Sequence, residues 1–132
     1  MNDPYIETSY QCSLISLRVA QRGASLDELL RCNGQSEWTF ITAWNPHGNT
    51  DSVENNERNN QLLLLDLQKQ GHIIIPGWGI GDDRRWPPEA SFLVLGINKE
   101  QAISLAKRYK QRAIVCGSIG QVASLHYIEE KS

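Results

Sequence analysis

The order in which strand-like and helix-like periodicities follow one another from Trp38 to Cys116 constrains this chain more than any other feature. Trp38 to Trp44 is aromatic and β-branched, as a strand prefers, and it stops at Asn45-Pro46, where proline cannot continue a central ladder. Asp51 or Ser52 can then cap a long helix that runs to about Gln70 and closes at Gly71. His72 to Ile75 reads as a strand, Pro76-Gly77-Trp78-Gly79 as a turn, Gly81 to Glu89 as a polar loop and Ser91 to Ile97 as a buried strand. Asn98 and Gln101 form the reciprocal pair of a capping box, and Lys107, Arg108, Lys110 and Arg112 suit the negative end of the helix that follows. Ala113 to Cys116 supplies the next strand. Strand, helix, strand, strand, helix, strand is the split βαβ repeat. The expected fold is therefore α+β, a ferredoxin-like βαββαβ sandwich core with the helices on one sheet face.

Additions flank that core. Ile15, Leu17 and Val19 alternate with Ser16 and Arg18 as a half-buried strand does. Ser25 with Glu28 can open a short helix carrying Leu26, Leu29 and Leu30, which Asn33-Gly34 stops. Val122 to Ile128 gives a final strand. A length of 132 residues suits one domain spanning 1–132.

Composition excludes several classes. Net charge is −2 and the pI about 5.9, so no global basic field recruits nucleic acid or an anionic membrane. The longest apolar runs, Leu62 to Leu65 and Ile73 to Ile75, fall far short of the roughly 20 residues that span a bilayer. The N-terminus carries neither a basic nor an apolar leader region, and a cytoplasmic location is expected. Cys12, Cys32 and Cys116 are widely spaced, and with His47, His72 and His126 they never approach the spacing of a zinc site. No metal and no cofactor is expected. Gly77-Trp78-Gly79-Ile80-Gly81 precedes a loop and a strand rather than a helix, so it is no phosphate-binding or dinucleotide fingerprint.

The topology brings the unusual polar residues to one edge of the sheet. The first core strand ends there at Asn45, and the long helix begins there. The second strand, parallel to the first, delivers Trp78 to the same edge. The loop holding Asp82, Asp83, Arg84, Arg85, Trp86 and Glu89 lies there, and the last helix rises to Gln111. Six asparagines fall between Trp44 and Gln61. Two of them, Asn56 and Asn60, share a stripe with Leu63 and Leu67, so they face the interior. A buried carboxamide must find partners. These two either brace the loop around Asn45 and Gly77 or line a pocket.

Phe40-Ile-Thr-Ala-Trp-Asn-Pro46, Glu54-Asn-Asn-Glu-Arg-Asn-Asn60, Pro76-Gly-Trp-Gly79, Glu89-Ala-Ser-Phe-Leu-Val-Leu-Gly96 and Gln111-Arg-Ala-Ile-Val115 resemble, in order and spacing, a bacterial family described only as a domain of unknown function. The resemblance covers about residues 36–117. It implies a small bacterial cytosolic protein and supplies no activity, cofactor or partner.

The expected function is binding of a polar or anionic small molecule, nucleotide-like or phosphorylated, at that rim. Asn45, Asn56 and Asn60 would supply directional amides and Arg58, near the helix N-terminus, charge. Trp78 would form a wall, with Glu89 and Gln111 on the far side. Glu89 is the candidate acid or base, because partial burial there raises a carboxyl pKa. The competing expectation is a regulatory domain that docks a protein or nucleic acid through Trp78, Arg84, Arg85 and Trp86. The acidic pair Asp82-Asp83 beside those arginines argues against nucleic acid.

Overall fold

The computed structural model describes residues 5–6, 8–12, 15–17, 21, 23–81 and 87–128. The strands are β1 (Thr8–Cys12), β2 (Ile15–Leu17), β3 (Glu37–Ile41), β4 (Ile73–Gly81), β5 (Glu89–Leu95), β6 (Ala113–Ser118) and β7 (Ser124–Tyr127). The helices are α1 (Ala24–Cys32), α2 (Val53–Lys69) and α3 (Lys99–Arg108), with a short 3-10 turn at Pro46–Gly48. The architecture is α+β. One seven-stranded sheet runs β2-β1-β4-β5-β3-β6-β7, and every neighbouring pair is antiparallel. Both β3 and β4 pair with β5, so they flank it and run parallel to each other.

The long helices share one sheet face. Leu63 and Leu67 of α2 and Ala102, Leu105 and Ala106 of α3 pack with Ile41, Phe92, Val94 and Ile114 in one buried cluster. A leucine such as Leu63, fully buried, typically contributes about 2–5 kcal/mol against alanine. The opposite face is not left bare. Leu26 and Leu30 of α1 pack there with Trp38, Phe40, Leu93, Leu95 and Val115, the residues that alternate with the first set along each strand. Asp27 of α1, itself buried, accepts the Gly120 N–H at 3.0 Å and ties the helix to the β6–β7 turn. Helices therefore cover both faces, because α1 takes the side that α2 and α3 leave.

Local signals held at the long helices and failed at the short one. Ser52 accepts the Asn55 N–H, and Asn98 with Gln101 closes both bonds of the capping box. In α1, however, Gly23 occupies the cap without a side-chain bond, and Ser25 lies inside the helix. The turn expected at Pro76 to Gly79 is strand instead. An unanticipated β1 gives Trp78 and Gly79 partners in Gln11 and Tyr10, while β5 pairs with Gly77, Trp78 and Gly79 on the other side. Pro76 lies beyond the last described β1 pair and is opposite Phe92 of β5. No described helix is long and apolar enough to cross a membrane.

Candidate functional site

Strand β3 ends at Ile41, three residues before the sequence suggests, because side chains take over its backbone hydrogen bonds. Asn60 Oδ1 accepts the Ala43 N–H at 2.8 Å, Thr42 Oγ1 accepts that of Trp44 at 3.0 Å, and Asn56 Oδ1 accepts that of Asn45 at 2.7 Å. On the other side, Asn60 Nδ2 donates to the Ala90 carbonyl at 2.9 Å. The two inner asparagines thus act as a substitute neighbouring strand. They turn the chain off the sheet and leave Asn45 in left-handed backbone geometry.

Asn45 is the hub that results. Its Oδ1 receives Asn56 Nδ2 at 2.8 Å and the Asp51 N–H at 3.0 Å, and its Nδ2 donates to Glu89 Oε1 at 3.2 Å. Gln111 closes the corner by donating to the Trp44 carbonyl at 3.2 Å. Among the described residues, the non-glycine positions with positive φ are Asn45, His47 and Lys110, and the His47 N–H donates to the Lys110 carbonyl at 2.7 Å. Left-handed geometry at a non-glycine residue costs on the order of 1–3 kcal/mol. Its concentration at one corner marks a place where shape is held against local preference.

A cavity of about 580 Å³ opens beside this hub. Its floor is the sheet face that carries α1, in the part that α1 does not reach. Thr8, Tyr10, Phe40, Ser91, Ala113, Val115 and Leu125 line it, and no residue of α1 does. Tyr5, Trp44, Pro87 and Pro88 add apolar walls, while Asn45, Asp51, Asn56, Glu89 and Gln111 gather at the rim. Burial pushes the Glu89 carboxyl above its ordinary value, and the bond from Asn45 offsets that only in part. The described lining holds two carboxylates, Asp51 and Glu89, and no Lys, Arg or His.

Four of the residues anticipated from the sequence, Asn45, Asn56, Glu89 and Gln111, do meet here. Asn60 lies beneath the site as a brace and does not line it. Arg58 is exposed, its guanidinium 3.5 Å from Asn55 Oδ1, and it does not line the cavity. Trp78 is 51% exposed and also stands outside the lining, since it alternates with Gly77 and Gly79 toward the face of the long helices. Asp82, Asp83, Arg84, Arg85 and Trp86 lie outside the described residues.

Tyr5, Thr8, Tyr10, Phe40, Trp44 and Ser91 were not anticipated. The missing signal for Thr8 and Tyr10 was β1 itself. For Ser91 it was present in the two-residue spacing that sets Glu89 and Ser91 on one face of β5. Among the described residues no cluster of His, Cys, Asp or Glu could hold a metal ion. Cys116 is buried, which raises its thiol pKa, and Cys32 is exposed.

A family model described as a protein of unknown function (DUF3293) matches residues 41–114. That is more than half of the chain, and the chain belongs to this family. The match spans Asn45, Asn56, Asn60, Glu89 and Gln111. No curated protein and no solved structure matches.

Proposed function

We propose that this member of the family binds a small molecule in the cavity beside Asn45, with an apolar body on the sheet and a hydrogen-donating or cationic group against Glu89. The observation that carries the reading is the pairing of a large aromatic-walled cavity with a half-buried carboxylate whose orientation Asn45 fixes. Pockets of several hundred Å³ with apolar walls and a few convergent polar groups are the usual form of small-molecule sites. The anionic ligand expected from the sequence loses Arg58, and the two carboxylates of the described lining favour the opposite charge at this end. Ser91 Oγ donates to the main-chain carbonyl of Glu89 at 3.0 Å, which suits a positioning role for that hydroxyl rather than attack on a substrate. The core strand order β4-β5-β3-β6 supports a ferredoxin-like arrangement, with β1, β2, α1 and β7 as additions that enclose the site.

Thermal-shift measurements with aromatic amines, their neutral analogues and the corresponding acids test the reading. Amines are expected to raise the Tm of the wild type, and Glu89→Gln to remove that gain. No shift from any of the three classes, or an undiminished amine shift in Glu89→Gln, overturns it.

The 51% exposure of Trp78, beside an exposed Pro76, favours a second reading in which that face docks a protein or nucleic acid. Trp78→Ala separates the two, since it removes partner capture and leaves amine binding unchanged.

A further inference from the structure

Beside the cavity lies a second depression of about 590 Å³, lined by Tyr5, His47, Asn49, Arg112, Tyr127 and Ile128. Its described lining is of opposite character. Arg112 and His47 line it and, among the described residues, no carboxylate does, whereas the cavity has Asp51 and Glu89 and no described cation. Tyr5 lines both spaces. Successive residues part to either side of the boundary: Gln111 and Gly48 line the cavity, Arg112 and His47 the groove.

The boundary is thin at Gly48. A Cβ built there would lie 3.0 Å from Arg112 Cδ and 3.3 Å from its Nη1, so the absence of a side chain lets the arginine lie against the cavity wall. With φ at +73°, this position also favours glycine by conformation. The Ile128 N–H donates to the Arg112 carbonyl at 2.8 Å and holds the backbone beneath the side chain. Among the described residues no carboxylate pairs with Arg112.

We infer that cavity and groove form one composite site for a ligand that carries a cationic amine at one end and an anion, carboxylate or phosphate, at the other, the anion held by Arg112. This rests on the cavity reading above. Arginine is suited to the task because its planar fork pairs both oxygens of a carboxylate or phosphate. The phosphorylated ligand that the sequence suggests would then enter with its anion in the groove and not at Arg58.

The test is a calorimetric series at pH 7 with ω-amino carboxylates and ω-aminoalkyl phosphates of four to eight carbons, each compared with the plain alkylamine of equal length. At one chain length the anion-bearing compound is expected to bind about ten-fold or more tighter than its amine, the scale of a hydrogen bond to a charged group. Arg112→Gln should cancel that gain and leave amine affinity unchanged, whereas Glu89→Gln should weaken every amine. The series with the larger gain identifies the anion. The inference is overturned if neither series improves on the amines at any length, or if the gain survives Arg112→Gln. It is equally overturned if butyl phosphate or hexanoate binds through Arg112 with the amines making no difference. Failure of the amines themselves, together with every bifunctional compound, instead removes the cavity reading.

Discussion

Asn60 illustrates how a single amide decides where a strand stops. It accepts the N–H of fully buried Ala43, donates to the Ala90 carbonyl, and lies 3.4 Å from Thr42 Oγ1. Replacing it by leucine keeps the volume and strands the Ala43 N–H, whereas the Ala90 carbonyl keeps the Thr42 hydroxyl at 2.7 Å. At about 1–3 kcal/mol for a buried group left unpaired, Asn60→Leu is expected to lower unfolding free energy by about 1–3 kcal/mol. A urea melt measures the loss as a reduced midpoint. Glu89 is the contrary case. Its carboxyl is held above the ordinary value of 4.5, so the folded chain retains a proton that the unfolded chain releases, and stability falls as pH rises through that interval. Glu89→Gln keeps an acceptor for Asn45 and is expected to be more stable than the wild type at pH 7. Denaturant melts across pH should show the gap closing below 4.5. The ionised form of Glu89 opposes folding, so stability does not account for a carboxylate at this position.

At the scale of elements, the sheet is set by alternation and the helices by their ends. Asp66 of α2 links the long helices by accepting from Tyr109 Oη at the end of α3 and from Arg108 Nη1 at 3.2 Å. The Tyr109 bond is the main reason that the Asp66 carboxyl is held below 3.8, and burial with the same carboxylate pushes the Tyr109 hydroxyl up to about 12. The pair is partly exposed, so screening limits its worth. Tyr109→Phe is expected to cost about 1 kcal/mol at pH 7. Because the folded-state value of Asp66 is depressed, this contribution is present above 3.8 and is lost as pH falls through the lower folded value, so the difference between mutant and wild type shrinks there.

Across the whole molecule, what the sequence disclosed followed from the range of the interactions involved. Both long helices were legible because their caps and apolar stripes are local, and Ser52, Asn98 and Gln101 act as their spacing implies. Strand β1 was not. Thr8 to Cys12 alternates weakly, and pairing with β2 and β4 makes it a strand; pairing with β5 and β1 also turns Pro76 to Gly79 from an expected turn into ladder. The site was half legible. Convergence on one edge brought Asn45, Asn56, Glu89 and Gln111 together, but helical phase separates Arg58 from them. Two residues beyond Asn56, it cannot share that residue's face. The cavity floor escaped notice because it depends on which sheet face α1 covers and where it stops, and no short window of sequence encodes either.

Tyr10, Phe40 and Val115 belong at once to the buried cluster under α1 and to the cavity floor. The buried cluster is therefore continuous with the cavity floor, and under the proposed function a bound molecule would serve as the last piece of that interior. Occupancy and survival of the chain would then become one quantity: a ligand at about 100 times its dissociation constant would add roughly 2.7 kcal/mol to the folded state and correspondingly lower the fraction open to proteases. In a cell, the amount of this protein that persists would then follow the supply of the proposed ligand.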